Sequence, residues 1–179
     1  DIILFNKQPL EVVVKKNPFV QFLSNHKDSY IHKILLPESW ESYSELTLKK
    51  KFRMQNTRSE KVLNKMGNLS FKIIPNSNEK VTFIDEIFNQ KNDHLKSLGI
   101  KEIFEEKDIN FYKAFEGLKN KKIETHISYI KLDDQIIAAH WGIVYKNRFY
   151  YLIPSMNAKN LAKYSPGRLL IENLIKWSI

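Results

Sequence analysis

Cysteine is absent from the 179-residue sequence. Disulfide bridges, thiolate zinc sites and a cysteine nucleophile are therefore excluded, and the composition suits a cytoplasmic protein. Glycine and proline are scarce, with five and six residues, so no long linker is built from them. No apolar run approaches the roughly 20 residues that a membrane-spanning helix needs. Residues 1–5 lack an initiator methionine and the basic start of a signal peptide, so we expect the natural chain to begin earlier.

Positive charge predominates, since 29 Lys and Arg residues outnumber 20 Asp and Glu residues and give a net charge of +9. A basic surface attracts nucleic acid, anionic lipid or phosphorylated small molecules, although lysines also serve solubility alone. The charges do not alternate with aromatic residues as a single-strand-binding surface requires. The densest basic run, residues 49–53, lies on a predicted helix and is where we expect any anion-facing patch.

The chain divides at Pro37 into two parts of unequal length. Residues 1–36 contain two short apolar runs and a short amphipathic segment, which indicate either an edge of the fold or the tail of a preceding half. Residues 37–179 are predicted to form one domain of the α/β (α+β) class, incomplete at its C-terminal end.

The second part begins with a helical pattern over residues 40–66, which ends at Gly67. A strand pattern follows over residues 69–74. Two further helices are predicted, one over residues 81–98 and one that begins after an N-cap at Asp108.

Three strand-like runs rich in β-branched and aromatic residues come next. Short turn sequences separate them at hairpin spacing, which predicts an antiparallel meander within a mixed sheet. An apolar helix then begins at Pro166 and is still running at Ile179, and we expect it to pack across the sheet. The three strands are residues 127–132, 136–145 and 149–153.

The loop before the last helix has the composition of an anion site. Ser165 is a favoured N-cap residue, and Pro166 suits the first helical position. Gly167 leaves the backbone open to a phosphate, and the first turn of a helix carries unpaired N–H groups and partial positive charge. Lys163 and Arg168 flank the turn and supply charge. Many helices without a ligand begin in the same way.

The last helix is apolar around most of its circumference. A narrow polar stripe interrupts it, and Glu172 and Lys176 stand four residues apart, as in an i,i+4 ion pair. Such a helix is typical of one that lies across the middle of a sheet. The stripe consists of Arg168, Glu172, Asn173 and Lys176.

Acid–base candidates lie on the meander. His140 is a candidate general base if it faces a cleft, although a structural histidine is the more common case. Tyr150 and Tyr151 point to opposite faces of a regular strand, so at most one contacts a ligand; we select Tyr151 as catalytic. The remaining histidines show no metal-ligand spacing with acidic neighbours, and we predict no metal site. They are His26, His32, His94 and His126.

Several segments together carry a family resemblance: residues 133–139, 148–151 and 164–170, with residues 35–40 and the basic helix upstream. Over residues 34–179 the chain resembles the GNAT-superfamily acetyltransferases of the cellulose-biosynthesis type. Strand, two helices, meander and helix follow the order of the GNAT core, and the chain ends before that core's next, parallel strand. The general GNAT loop, Gln/Arg-x-x-Gly-x-Gly/Ala, is not matched, because Ala162 stands at its first position.

The resemblance implies acetyl-CoA or another acyl-CoA as donor, with direct transfer to a small-molecule or glycan acceptor. It places the pyrophosphate on the main chain of residues 165–169 and the pantetheine along residues 152–155. It also sets Asp85 and Glu86 at the border of the acceptor site, although surface charge is the simpler interpretation. The predicted cofactor-binding residues are Leu152, Ile153, Ser155, Lys163, Tyr164, Ser165, Gly167, Arg168 and Leu169.

Three other functions stay open at this point. A Fem-type peptidyltransferase shares the GNAT fold and takes aminoacyl-tRNA, which the net charge suits, but no long helical arm is inserted. A GNAT-like module without turnover is a second alternative, and a basic nucleic-acid binder is the weakest because no recognition motif is present. We also expect residues 1–179 alone to be inactive as an acyltransferase and prone to dimerise or aggregate through the exposed edge of the last strand.

Overall fold

The computed structural model describes residues 11–12, 15–17, 32–75, 77–100, 104–116, 122–157 and 160–179. The chain divides into two units, Asp1–Leu35 and Leu36–Ile179. In the first unit, β1 (Glu11–Val12) and β2 (Lys15–Lys16) pair antiparallel. The apolar run and the amphipathic segment predicted on either side of this hairpin lie outside the described residues.

The second unit is an antiparallel sheet covered by helices. Its described helices are α1 (Trp40–Leu46), α2 (Lys50–Met66), α3 (Ser77–Ser97), α4 (Glu106–Glu116) and α5 (Pro166–Ser178). Its described strands are β3 (Leu69–Ile73), β4 (Ile123–Leu132), β5 (Gln135–Tyr145) and β6 (Arg148–Met156). They lie in the order β3-β4-β5-β6, and each neighbouring pair is antiparallel. The predicted α/β class and the meander are confirmed.

Helices α2 and α5 cover one face of the sheet. Ile130 and Leu132 of β4 pack there against Leu63 of α2 and against Leu169 and Leu170 of α5. The last helix therefore lies across the sheet, as its apolar circumference predicted. In the part of the chain that the structure describes, no helix has both the length and the apolar character needed to cross a bilayer.

Helices α3 and α4 cover the opposite face. Ile127 and Trp141 point there because successive strand residues alternate between the faces. They pack against Ile84 and Phe88 of α3, and Tyr112 of α4 closes the cluster. Phe88 and Tyr112 have ring centroids 5.0 Å apart. The sheet is thus the middle of three layers.

The helix predicted over residues 40–66 is interrupted, which corrects the sequence interpretation. Helix α1 ends at Leu46, and α2 begins only at Lys50. The break allows Arg53 to donate from Nη1 to the Ser44 carbonyl at 3.2 Å, and so to bind a carbonyl in the last turn of α1. Tyr43 is buried on the shorter helix, whereas Phe52 of α2 is exposed.

The predicted N-cap at Asp108 is also wrong, because α4 begins two residues earlier, at Glu106. Asp108 occupies the first turn, and its Oδ2 accepts a hydrogen bond from the Glu105 N–H at 2.9 Å. A carboxylate in the first turn that binds back to the residue before the helix is half of a capping box. A good capping residue therefore marked the region of the helix start but not its exact position.

Asp133 joins two turns of the fold. It occupies the β4–β5 hairpin at φ 51°, a conformation that Asp adopts more readily than Ala. Its Oδ1 accepts from the Asn68 N–H at 2.8 Å, and its own N–H donates to the Asn68 carbonyl at 2.9 Å. Gly67 leaves room for this carboxylate, because a β-carbon there would overlap it. The end of α2 is thereby tied to the meander.

Replacing Asp133 should therefore destabilise the protein more than replacing Asp134. We expect Asp133→Ala to lower the free energy of unfolding by about 1–2 kcal/mol, from the lost hydrogen bond and the strained φ. Asp134→Ala should leave it almost unchanged, because Asp134 is fully exposed and pairs only with Lys131. Urea unfolding followed by circular dichroism measures both; equal losses would contradict the role assigned to Asp133.

Candidate functional site

Strand β6 carries a bulge in its middle. Trp141 of β5 pairs with Ile153, but the next residue, Gly142, pairs with Tyr151. Leu152 is therefore the extra residue, and it is 45% exposed. Since β6 has only β5 beside it in the described sheet, the bulge lies on an open edge.

Gly142 makes the bulge possible. A β-carbon at this position would overlap the Tyr150 carbonyl oxygen and come within 2.6 Å of His140 Nε2. Only glycine allows such a close approach of the two strands. The bulge was not predicted, although a glycine opposite a strand that also contains Pro154 is a signal for one.

The residues after the bulge are held by α3. Lys91 Nζ donates to the Pro154 carbonyl at 2.9 Å, and the Ser155 hydroxyl donates to Gln90 Oε1 at 3.3 Å. Ser155 is buried, and Ile153 packs into the cluster under α3 and α4. Of the predicted pantetheine residues on β6, Leu152 is thus the one whose side chain is exposed.

The loop before α5 places Ser165 at the N-cap position, as predicted, but not in the expected conformation. Ser165 is left-handed at φ 52°, and its side chain makes no capping hydrogen bond. Its carbonyl instead accepts from the N–H groups of Arg168 at 3.0 Å and Leu169 at 3.3 Å. Pro166 has no N–H. Among the described residues, the Gly167 N–H is therefore the first-turn donor that has no backbone partner.

Gly167 lies at the end of β6. A β-carbon built on it would lie 3.8 Å from Met156 Sδ, which is an ordinary van der Waals contact. A phosphate oxygen can approach a main chain that carries no side chain. The bulged edge and the start of α5 are thus neighbouring parts of one surface.

Arg168 points toward α2. Its Nη1 lies 3.4 Å from Gln55 Oε1, and its Cζ lies 5.9 Å from the centroid of the Phe52 ring. Its Nε and Nη2 are buried and find no acceptor in the described part of the chain. Lys163, on the other side of the loop, is exposed, with Nζ 5.1 Å from the Tyr164 ring centroid. The guanidinium of Arg168 therefore packs against α2.

The polar stripe of α5 lies against α2. Asn56 Nδ2 donates to Glu172 Oε2 at 2.6 Å, and Lys176 Nζ donates to Glu172 Oε1 at 2.8 Å, which confirms the predicted Glu172–Lys176 pair. Lys176 also lies 4.6 Å from the Trp40 ring centroid. The stripe therefore joins two helices.

His140 is inside the protein. It is fully buried, its Nδ1 lies 3.2 Å from the Ser128 hydroxyl, and its ring stacks on Tyr151 at 4.9 Å. Burial, with a smaller contribution from His126, lowers the pKa of His140 to about 3. Burial also raises the pKa of Tyr151 to about 12. Both side chains are neutral near pH 7, so their catalytic assignment stays a prediction, and the geometry favours a role in positioning the strand.

His126 lies beside His140 under the last turn of α5. Their ring centroids are 5.5 Å apart, and the His126 ring lies 4.1 Å from Trp177. Burial, followed by the charge of Lys80, lowers the pKa of His126 to about 4. From the sequence, His126 was a candidate only as a metal ligand. The register between β4 and β5, which pairs Ser128 with His140, could not be predicted from the sequence.

The predicted acceptor-border residues lie on α3. Asp85 forms an ion pair with Lys113 at 2.6 Å, and Glu86 accepts from Gln90 Nε2 at 2.9 Å. Within the described ranges, no three side chains of His, Asp or Glu come together as a metal site would require. The absence of a metal stays a prediction.

Family comparison agrees with this arrangement. The family model for the acetyltransferase (GNAT) domain matches residues 50–179, which is most of the chain. The chain belongs to the GNAT acetyltransferase family. No curated protein is similar enough to this chain to count as a relative.

GNAT domains generally bind acyl-CoA, and the site can be tested for its fit to that cofactor. The Gly167 N–H has no backbone partner and no side chain shields it, whereas the two unpartnered nitrogens of Arg168 are buried on the side that faces α2. The main chain at the first turn of α5 therefore fits a phosphate oxygen. The cellulose-biosynthesis subtype is a finer assignment that the family match does not address.

The buried histidines should make stability depend on pH. The folded state keeps both imidazoles neutral, whereas the unfolded chain protonates them below about pH 6.5. The unfolded state therefore binds more protons between pH 6.5 and about 4, so stability is full above pH 6.5 and falls as the pH falls toward 4. Each histidine contributes a slope of about 1.4 kcal/mol per pH unit.

His140→Gln should remove the contribution of His140 to the pH dependence of the unfolding free energy. Unfolding free energies at pH 7, 6 and 5 measure it, with His32→Gln, which removes an exposed imidazole, as the control. Parallel pH dependence in the wild-type protein and in His140→Gln would contradict the neutral, buried state of His140.

Proposed function

We propose that this chain transfers an acyl group from acyl-CoA, acetyl-CoA first among them, directly to an amine or hydroxyl group of its acceptor. The observation that carries the proposal is the continuity between the bulged, open edge of β6 and the first turn of α5. Met156 at the end of β6 lies next to Gly167 at the start of α5. An extended ligand with a phosphate at one end matches such a surface.

The edge of β6 supplies the part of the site for the pantetheine arm. Pantetheine is an extended chain with two amide groups, and an exposed strand edge pairs with amides as it would with another strand. Leu152, Ile153 and Ser155 are the proposed residues. Because Lys91 already occupies the Pro154 carbonyl, the main chain around the bulge at Leu152 is the accessible portion.

The first turn of α5 supplies the part for the pyrophosphate. The Gly167 N–H, the main chain of Ser165 and Leu169, and the Arg168 side chain are the proposed contacts. Lys163, exposed beside Tyr164, adds positive charge at the rim. Charge-assisted hydrogen bonds of this kind are about twice as strong as neutral ones.

Catalysis in this proposal depends mainly on positioning. Bound acyl-CoA supplies a thioester that is already activated toward attack. His140 and Tyr151 act as positioning residues, because their stacked rings support the strand immediately before the bulge. Neither is placed to take the proton from the acceptor at neutral pH, because the pKa of about 3 makes buried His140 a weak base and the pKa of about 12 keeps the Tyr151 hydroxyl protonated.

The acceptor class is proposed from the sequence resemblance. Residues 34–179 resemble acetyltransferases of the cellulose-biosynthesis type, which supports an acceptor in polysaccharide or cell-envelope metabolism. A sugar hydroxyl or an amino sugar is the chemistry that this class implies.

Gly167→Glu tests the phosphate site. The new carboxylate would occupy the space above the first turn and repel the pyrophosphate, so we expect the affinity for CoA to fall about tenfold or more. Calorimetric titration of the full-length protein with CoA measures it. Gly167→Ala adds only a methyl group and should lower the affinity for CoA less. Thr82→Glu is the charge control, because it adds the same charge on the opposite face of the sheet. An unchanged affinity in Gly167→Glu would sink the proposed site.

Turnover tests the reaction. We expect the full-length protein with acetyl-CoA to release free CoA thiol only when an amine or sugar acceptor is added, measured by a thiol-reactive dye. CoA binding without acceptor-dependent release would indicate a non-catalytic module. Binding of aminoacyl-tRNA in place of CoA would favour a Fem-type function.

A further inference from the structure

The outward face of α2 carries a stripe of exposed side chains, most of them basic. Its members stand three or four residues apart, so they lie along one side of the helix. The buried residues of α2 lie on the other side. At a rise of about 1.5 Å per residue, the stripe is roughly 22 Å long. This basic stripe consists of Lys50, Met54, Arg58, Lys61 and Lys65, all of which are exposed.

Within the described ranges, no acidic side chain pairs with a cation of the basic stripe. Glu60 is the one acidic residue of α2. It precedes Lys61 by one residue and therefore points about 100° away from it around the helix. The positive charge of the basic stripe thus faces outward without an acidic partner among these residues.

The two helical layers differ in charge. Helix α2 has six basic residues and one acidic residue. Helices α3 and α4, which cover the opposite face of the sheet, together have five basic and seven acidic residues. An anionic surface therefore attracts the α2 side of the domain and orients it.

Apolar side chains stand among these cations. Met54, inside the basic stripe, is 63% exposed, and Leu46, the last residue of α1 before α2 begins, is 84% exposed. A phosphate backbone offers nothing for such groups to contact. At a bilayer surface, by contrast, apolar side chains enter the boundary between headgroups and acyl chains while Lys and Arg stay with the phosphates.

The basic stripe also lacks features typical of nucleic-acid binding. It contains no aromatic side chain on which a base could stack. Phe52, the aromatic residue of α2, lies off the stripe and contacts the guanidinium of Arg168. Three of the four cations are lysines, which act as point charges and not as bidentate forks. Four or more Lys and Arg residues on an amphipathic helix are typical of binding to anionic lipids.

We propose that the outward face of α2 docks on the surface of a bilayer that contains anionic phospholipid. The four cations of the basic stripe contact the lipid phosphates, and Met54 inserts between the headgroups. The proposed acyl-CoA site uses the edge of β6 and the first turn of α5, and no residue of the basic stripe belongs to it. The docking surface is therefore independent of acyl transfer.

Vesicle co-sedimentation of the full-length protein tests the proposal. We expect binding to phosphatidylcholine vesicles that contain about 30% phosphatidylglycerol and little binding to phosphatidylcholine alone. Raising the salt concentration from about 0.1 M to about 0.5 M should release most of the bound protein, because salt screens exposed charges.

Replacing Lys50, Lys61 and Lys65 together by Gln should weaken binding to the anionic vesicles about tenfold or more. The matched control replaces Lys72, Lys107 and Lys146 by Gln. It removes the same charge from exposed positions outside α2 and should keep most of the binding. Circular dichroism and CoA affinity should be unchanged in both triple variants.

Met54→Gln separates a bilayer from a nucleic acid. It should weaken vesicle binding about threefold or more, because it removes the inserted apolar group but no charge. A labelled DNA duplex and a labelled tRNA are titrated in parallel by fluorescence anisotropy. Saturable binding of either one that is lost in the Lys50, Lys61 and Lys65 variant but unchanged in Met54→Gln would assign the stripe to nucleic acid and overturn the proposal.

Three other results would also contradict the bilayer assignment. They are the absence of binding to the anionic vesicles, equal binding to vesicles with and without phosphatidylglycerol, and equal losses in the two triple lysine variants.

Discussion

Burial of α5 against the sheet is the constraint on which the remaining features depend. Leu169, Leu170 and Leu174 are almost completely buried, and each leucine removed from water contributes about 1.5–3 kcal/mol. Once α5 is packed on the sheet, its polar stripe binds α2. The same packing places the first turn of α5 at the end of β6. Apolar packing one turn further along the helix therefore fixes the position of the first turn of α5.

The parts of the fold that follow from local pattern were predictable. The β4–β5 and β5–β6 hairpins were marked by Asp133 and Asn147, both of which adopt a positive φ that these residue types tolerate. The burial of α5 followed from its nearly continuous apolar surface. The break between α1 and α2 was not predictable, because it is stabilised by a hydrogen bond from Arg53 to Ser44, nine residues away.

The candidate site was predictable in its location but not in its details. Pro166 and Gly167 marked the start of α5, whereas the left-handed Ser165 and the orientation of Arg168 toward Gln55 depend on tertiary packing. The bulge at Leu152 depends on a close approach between Gly142 and another strand. Burial decides the protonation of His140, and a strand sequence with alternating faces does not reveal which face a helix will cover.

The placement of the three tryptophans gives the protein built-in optical reporters. Trp141 lies buried in the layer under α4, while Trp40 and Trp177 lie on the other side of the sheet, against Lys176 and His126. Indole emission depends on the polarity of its surroundings and is quenched by a protonated imidazole in contact with the ring. The emission of Trp177 therefore reports on the docking of the last turn of α5, and that of Trp141 reports on the opposite layer.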